Sequence, residues 1–276
     1  MRCLPFLLLA AFALPCRPVP VFAAPVSPPS PTSETVDLSR FFAGYEGAFV
    51  LQEVATGRTI RYNPTRCAKR FAPCSTFKIP NSLIFVETGV VREENQREKW
   101  DGKKRPLDIW NRDQTLKTAY AASAVWYYQR LSARVGAERT RRYVQALRYG
   151  NQAVPSRFDD GPPHFWLDGP LAISAEEQVQ FLKRLQAGNV PFAPRTQAIV
   201  KRVMVQQRSG NAVLRGKTGT DGSWSTGVTT LGWYVGYVEK AGRPYLFAAN
   251  ITGGVNPSGP KAKAIVLRIL KSRGLL

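Results

Sequence analysis

Residues 75–83 read STFKIPNSL, and the rest of the chain is best interpreted from the first four of them, Ser75-Thr76-Phe77-Lys78. Positions i and i+3 share one face of a helix, so the Ser75 hydroxyl and the Lys78 amine can meet there. Serine becomes a nucleophile when a neighbour takes its proton, and Lys78 is the candidate base. A lysine with an ordinary pKa of about 10.4 must be buried to be neutral enough for that role. Alone, the same spacing also fits a helix N-cap followed by a solvated lysine.

A second motif, Lys217-Thr218-Gly219, follows the β-like stretch Ala212–Leu214. A strand edge that carries Lys and Thr can bind a carboxylate, and Gly lets another backbone approach closely. Serine enzymes that recognise penicillins combine these two motifs in this order. The pair therefore favours acyl transfer through Ser75 over the N-cap interpretation.

The pattern of apolar residues predicts an α+β fold. A hairpin is expected over Phe49–Leu51 and Thr59–Tyr62, and further strands near the other end of the chain, over Gly232–Val238 and Tyr245–Ile251. A helical insertion is predicted over about residues 90–207, in which Ser174 and Glu177 form a capping box. A last helix is expected over Lys261–Lys271. One antiparallel sheet assembled from both termini and flanked by helices follows from this order.

Further motifs narrow the class. The chain resembles the oxacillinase-type class D β-lactamases over nearly all of residues 36–276. The resemblance rests on matches in order: Ser75-Thr76-Phe77-Lys78, Ser123-Ala124-Val125, Tyr149-Gly150-Asn151, Trp166-Leu167 and Lys217-Thr218-Gly219. It implies the fold of the penicillin-recognising serine β-lactamases and D,D-peptidases, with a helical subdomain.

The resemblance also implies roles for individual residues. The catalytic residues would be Ser75, Lys78, Ser123, Trp166 and Lys217. The backbone N–H groups of Ser75 and Thr220 would form the oxyanion hole. Lys78 would react with CO2 or bicarbonate to become a carbamate (N6-carboxylysine), the general base, with the Trp166 indole as its donor; no other cofactor is implied. Substrate contacts would come from Thr218, Gly219, Val125, Leu167 and Lys261.

One position departs from the family pattern. The family often carries an arginine near the start of the last helix, where it grips the substrate carboxylate. Aligning on the closing Gly-Leu-Leu places Ala262 there, between Lys261 and Lys263. A lysine could supply the charge, although as a point charge without the bidentate fork of arginine. Lys261 is taken as the expected cation.

The first residues predict export. Arg2 precedes the apolar run Leu4–Leu14, and Val21-Phe22-Ala23 supplies a cleavage site. The run is too short to cross a bilayer, and no other stretch is apolar enough to do so. Residues 1–23 are therefore expected to be a signal peptide, residues 24–35 a disordered Pro/Ser-rich tail, and residues 36–276 a periplasmic domain.

Cleavage would leave Cys67 and Cys74 as the mature cysteines. Since an exported chain meets oxidising conditions, a disulfide between them is favoured, with two buried free thiols as the alternative.

The chain is strongly basic, with 39 Lys and Arg against 19 Asp and Glu and a formal charge of +20. The cations are scattered and match no nucleic-acid motif, so a solvated basic surface is expected, and nucleic acid is not an expected partner. Attraction to anionic substrates or to an anionic envelope surface is the functional alternative. His164 is the only histidine, which argues against His-rich metal sites, and no metal is expected.

Resistance through hydrolysis of penicillin-type β-lactams is the expected function. Two alternatives remain: a β-lactam sensor that is acylated once without release, and a D,D-peptidase on the same fold. The expected partner is a small β-lactam, and the chain is expected to be a monomer or a homodimer.

Overall fold

The computed structural model describes residues 32–158, 161–222 and 226–276. The predicted signal peptide, residues 1–23, lies outside these ranges, as does most of the predicted tail, residues 24–35. The tail's last residues do not fit the prediction: Ser33–Thr35 form a strand in parallel register with Thr59–Arg61. A strand therefore lies before the predicted domain boundary at 36.

A seven-stranded sheet lies at the centre of the described residues. In chain order the strands are β1 Ser33–Thr35, β2 Glu46–Glu53, β3 Thr59–Tyr62, β4 Val205–Ser209, β5 Ala212–Gly222, β6 Thr229–Lys240 and β7 Arg243–Thr252. Their spatial order is β1-β3-β2-β7-β6-β5-β4. Every pair is antiparallel except β1 with β3. The pairing of β2 with β7 joins the two ends of the chain, as the sequence predicted.

Helices cover both faces of this sheet. They are α1 Ser39–Phe42, α2 Pro64–Ala68, α3 Lys78–Glu87, α4 Leu116–Ala122, α5 Val125–Val135, α6 Ala137–Ala146, α7 Ala175–Gln186, α8 Pro194–Val203 and α9 Gly259–Ser272. Helices α3 to α8 share a large apolar core with one face of the sheet, and α1 and α9 share a smaller core with the other. Because both faces are covered, β6 is buried without a break from Leu231 to Val238. In the part of the chain that the structure describes, no helix could span a membrane.

Local signals in the sequence predicted several of these elements, although not β1 or β4. The β2–β3 hairpin turns at Gly57, whose φ of +72° suits glycine. The Ser174 side chain accepts a hydrogen bond from the Glu177 backbone N–H, and the Glu177 carboxylate accepts one from the Ser174 backbone N–H. This pair of bonds confirms the predicted capping box at the start of α7. The helical insertion ends where β4 begins, at Val205.

Candidate active site

The nucleophile turn, Cys74–Phe77, is one turn of 3₁₀ helix that continues into α3 at Lys78. This continuity puts Ser75 and Lys78 on one face, and the Lys78 Nζ lies 2.8 Å from the Ser75 Oγ. Ser75 is 8% exposed and Lys78 is fully buried. The contact predicted from the spacing is confirmed, and the alternative of a solvated lysine is excluded.

The surroundings of Lys78 disfavour its charged form. Burial is the main cause that holds its pKa well below the ordinary value, and the positive charge of Lys217 lowers it further. The Nζ lies 5.0 Å from the ring centroid of Tyr128. None of these groups supplies the carboxylate that would keep a buried ammonium charged, so the site favours a neutral, nucleophilic amine.

Strand β5 passes directly beside the nucleophile turn. A Cβ at Gly219 would lie 3.0 Å from the Pro73 carbonyl oxygen and 3.2 Å from the Thr76 Cγ2, so only glycine fits without displacing its neighbours. On the neighbouring strand β6, the Trp233 indole donates to the Ala72 carbonyl at 3.0 Å. This bond also holds the sheet against the segment that leads into the nucleophile turn. Lys217, Thr218 and Thr220 are thereby held alongside Ser75.

Lys217 is the second buried lysine of the site. Its Nζ donates to the Thr218 carbonyl at 2.9 Å and to the Thr218 Oγ1 at 3.2 Å. Burial, with a smaller contribution from the charge of Lys263, lowers the pKa of Lys217 to about 7. The group can therefore change charge near neutral pH.

Helix α4 ends beside Lys217. The Tyr120 hydroxyl donates to the Gly216 carbonyl at 3.2 Å, and the Lys217 Nζ lies 5.7 Å from the Tyr120 ring. Three residues later Ser123 ends the helix with a left-handed φ of +55°, a conformation that costs energy for any residue except glycine. The Tyr120 contacts thus hold the end of α4, and Ser123 with it, near the Lys217 strand.

Trp166 is fully buried, and its ring centroid lies 5.9 Å from that of Phe77. Its indole Nε1 is buried and finds no hydrogen-bond partner in the described residues. A buried indole N–H normally has an acceptor, so this one is suited to an anionic group placed within the site.

The Tyr149-Gly150-Asn151 motif anchors the loop that carries Trp166. The Asn151 amide donates to the Pro170 carbonyl at 2.8 Å and accepts from the Ala172 N–H at 3.0 Å. Gly150 has a φ of +55°, and a Cβ there would lie 2.1 Å from the Ala172 carbonyl oxygen. The motif, to which sequence reasoning gave no role, fixes the end of the Trp166 loop.

The other predicted site residues are placed as follows. Val125 begins α5 and packs against the main core, and Leu167 follows Trp166. The Thr220 Oγ1 accepts from the Gly259 N–H at 2.9 Å, which ties β5 to the start of α9. Lys261 is engaged elsewhere: its amine donates to the Val255 carbonyl and lies 5.7 Å from the Tyr45 ring.

The predicted disulfide is wrong. Cys67 and Cys74 are both free and buried. The Cys67 thiol, on α2, lies 3.2 Å from the Tyr62 carbonyl oxygen, whereas the Cys74 thiol lies 3.5 Å from the Ala72 carbonyl oxygen. The two thiols are thus turned to different carbonyl groups, and the alternative of two buried free thiols is the one observed.

Two buried side chains around the nucleophile turn were missed from the sequence. Tyr128 lies over Lys78, and its hydroxyl is 3.0 Å from the Ser82 Oγ. Gln178 on α7 hydrogen-bonds to Thr76 and Tyr149. A signal for Gln178 existed, because it shares helical spacing with the buried residues Ala175, Leu182 and Leu185, so an apolar side chain is expected at its position.

Comparison with known proteins gives a consistent result. The family model of the penicillin binding protein transpeptidase domain matches residues 47–271. The chain is 39% identical over 235 residues to the probable beta-lactamase YbxI of Bacillus subtilis (strain 168), which covers 85% of this chain and 84% of that protein. A crystal structure of a class D beta-lactamase from Bacillus subtilis matches with a TM-score of 0.80 at 38% identity, over 87% of this chain and 97% of that one.

A receptor is also similar. The regulatory protein BlaR1 of Bacillus licheniformis is 35% identical over 249 residues, which is 90% of this chain and 40% of that longer protein. The weight of the matches lies with the enzymes, and the predicted fold is confirmed. With the buried serine–lysine pair beside the Lys-Thr-Gly strand, these likenesses show that the chain belongs to the class D β-lactamases and is an enzyme of that family.

Proposed function

We propose that this enzyme hydrolyses penicillin-type β-lactams in two steps, through an acyl-enzyme on Ser75. The observation that carries the proposal is the 2.8 Å contact between the Ser75 Oγ and the buried Lys78 Nζ. Splitting an amide hydrolysis into acylation and deacylation needs a nucleophile and a base that acts in both steps. Lys78 is placed to be that base.

Lys78 would act as its carbamate. A neutral Nζ attacks the carbon of CO2, the N–C bond forms, and the nitrogen loses one proton to water. The reaction requires a neutral amine, which the lowered pKa of Lys78 supports. It also requires a hydrogen-bond donor for the new carboxylate, and the Trp166 Nε1, which has no partner among the described residues, can be that donor. Those two features fit the modification, and CO2 or bicarbonate is the only co-reactant it needs.

In acylation, the Ser75 Oγ attacks the lactam carbonyl while carbamylated Lys78 accepts its proton. The backbone N–H groups of Ser75 and Thr220 would stabilise the oxyanion, since β5 passes beside the nucleophile turn. The C–N bond breaks as Ser123 and Lys217 relay the proton from the Lys78 carbamate to the leaving nitrogen, which returns the carbamate to its basic form. A pKa of about 7 for Lys217 supports a role in moving that proton.

In deacylation, the carbamate on Lys78 removes a proton from water, which attacks the Ser75 ester. The Ser75 oxygen leaves and is reprotonated. Burial of both side chains supports this role, because removal from bulk water makes an anionic base more basic.

The substrate carboxylate would be bound by Lys217, Thr218 and Gly219 on β5. Val125 and Leu167, both partly buried beside the core, would line the site. Lys261 is retained as a candidate cation, although its amine is engaged with the Val255 carbonyl. Lys263 is the other candidate, because its charge acts on Lys217.

The proposal includes export to the periplasm and antibiotic resistance. Residues 1–23 have the order of a signal peptide, with a basic start, an apolar run and small residues at the cleavage point. An enzyme released there would meet β-lactams before they reach their targets.

The alternative that a specific comparison supports is a sensor domain, because of the similarity to BlaR1. The two functions differ in whether the acyl-enzyme is released. Benzylpenicillin should be mixed with the chain lacking residues 1–23, and product formation and intact mass followed together. Many turnovers with the free mass restored would support the enzyme, whereas one equivalent of product and a persistent adduct on Ser75 would support the sensor.

A further inference from the structure

A buried polar cluster lies behind the nucleophile turn, and the proposed chemistry does not use it. We name it the Thr76 cluster; it comprises Thr76, Tyr149 and Gln178, all fully buried. We infer that Thr76, held in one orientation by Gln178, is a positioning residue that sets the distance between the Ser75 and Thr220 N–H groups. The inference rests on the proposed function, because those two groups are its oxyanion hole.

The Thr76 hydroxyl both donates and accepts hydrogen bonds. It donates to the Pro73 carbonyl at 2.6 Å, and the Thr76 backbone N–H donates to the same oxygen at 3.1 Å. Since the hydroxyl proton is used there, the Thr76 Oγ1 is the acceptor in its hydrogen bonds with the Gln178 Nε2, 3.0 Å away, and with the Tyr149 hydroxyl. The amide orientation of Gln178 is fixed by that requirement.

Gln178 connects the turn to the Trp166 side of the site. Its Nε2 also lies 3.1 Å from the Tyr149 hydroxyl, and Tyr149 begins the motif that anchors the Trp166 loop. Gln178 projects from α7, which packs on β2, β6 and β7 and is therefore fixed to the sheet. A rigid helix thus holds the side chain that orients Thr76.

The opposite side of Thr76 touches the strand. The Thr76 Cγ2 lies 3.2 Å from where a Gly219 Cβ would be, and the Pro73 carbonyl lies 3.0 Å from the same point. Ser75 is the residue before Thr76, and Thr220 is the residue after Gly219. Rotating the Thr76 side chain would move a methyl or hydroxyl group against β5, so its rotamer fixes how closely the two halves of the oxyanion hole approach.

A β-branched side chain has few χ1 states, which makes it a rigid spacer once one state is selected. The hydrogen bonds from Thr76 to Pro73 and from Gln178 to Thr76 select that state. A change in this spacing would weaken stabilisation of the tetrahedral intermediate more than binding of the planar substrate, because the two donors act on the charge that develops.

The test compares Thr76→Val, Gln178→Met and the double variant with the unaltered enzyme. Both changes keep the approximate side-chain volume and remove the hydrogen bond that the Gln178 Nε2 donates to the Thr76 Oγ1. The measurements are kcat and KM for benzylpenicillin, and the affinity of a boronic acid that forms a tetrahedral adduct with Ser75. The matched control is Gln197→Met, because Gln197 on α8 is also buried and donates twice, to the Gly188 and Phe192 carbonyls.

We expect each single variant to lower kcat and boronate affinity by about tenfold to a hundredfold with KM changed less than about threefold. The double variant should be no worse than the more impaired single one, because both remove the same bond. Gln197→Met should lower the Tm without changing boronate affinity.

The inference would be overturned if Thr76→Val bound the boronic acid as tightly as the unaltered enzyme does. It would also be overturned if Gln197→Met lost as much boronate affinity as Thr76→Val and Gln178→Met. If Gln178→Met does not fold, Thr76→Val still decides between these results. An unaltered enzyme that shows no turnover would instead count against the proposed function itself, so the two failures are distinguishable.

Discussion

The Lys78 Nζ lies 2.8 Å from the Ser75 Oγ, and both side chains are removed from bulk water. This relationship follows from local geometry, because the 3₁₀ turn Cys74–Phe77 runs without interruption into α3. Burial then changes the chemistry of the pair by disfavouring the ammonium form of Lys78.

Trp166→Phe should reduce activity in a way that bicarbonate partly restores. The change removes the indole N–H that has no partner among the described residues, and with it the proposed donor to the Lys78 carbamate. We expect a fall in kcat of at least about tenfold in CO2-depleted buffer, with recovery as bicarbonate is added.

Trp126→Phe is the control, since Trp126 is buried and its indole donates to the Trp110 carbonyl at 2.9 Å. Its activity should show no dependence on bicarbonate beyond that of the unaltered enzyme. Equal bicarbonate dependence in the two variants would remove Trp166 from the mechanism.

Substrate binding should weaken as the pH rises through neutrality. The pKa of Lys217 is about 7, so its positive charge is present below that pH and is lost above it. KM for an anionic penicillin should therefore increase between about pH 6 and pH 8. Lys217→Arg should remove this dependence, because arginine stays charged over the whole range. A KM profile for Lys217→Arg that is as steep as that of the unaltered enzyme would contradict the assignment.

Lys261 and Lys263 can be separated by single substitutions. Both amines donate a hydrogen bond, Lys263 to the Gln206 Oε1 and Lys261 to the Val255 carbonyl, but only Lys263 is among the charges that lower the pKa of Lys217. At pH 6, where Lys217 is charged with or without Lys263, we expect Lys263→Ala to raise KM by about threefold to tenfold and Lys261→Ala to change it less than about twofold. The reverse order would identify Lys261 as the carboxylate cation.

The two cysteines should remain thiols. Burial raises the pKa of Cys67 to about 12 and also raises that of Cys74, so neither reacts readily while folded. Alkylation of the chain lacking residues 1–23 should label both cysteines in denaturant without a reductant, and neither in native buffer. An intact mass lower by two hydrogens before reduction would show the disulfide instead.

Much of the fold was predictable because its signals are local. The β2–β3 hairpin, the capping box at Ser174 and the strands β6 and β7 each follow from the pattern of neighbouring residues. The Ser75–Lys78 contact was predictable for the same reason, since helical spacing alone brings the two side chains together.

What the sequence did not predict depends on contacts between distant segments. The Cys67 and Cys74 thiols are separated because α2 and the nucleophile turn present them to different backbone carbonyls, which their spacing cannot reveal. Gln178 was missed because its partner, Thr76, is 102 residues away in the chain. The direction of Lys261 depends likewise on the fold of the loop at Val255.

The central claim, that carbamylated Lys78 is the general base, is tested most directly by carbon-13 NMR during CO2 titration. The chain lacking residues 1–23 would be depleted of CO2 and then titrated with labelled bicarbonate. Hydrolysis of a chromogenic cephalosporin would be measured at each point of the titration. The controls are Lys78→Met and Ser75→Ala. We expect one carbamate signal that rises in parallel with activity, is absent in Lys78→Met and persists in the inactive Ser75→Ala. Full activity without CO2, or a carbamate signal that remains in Lys78→Met, would contradict it.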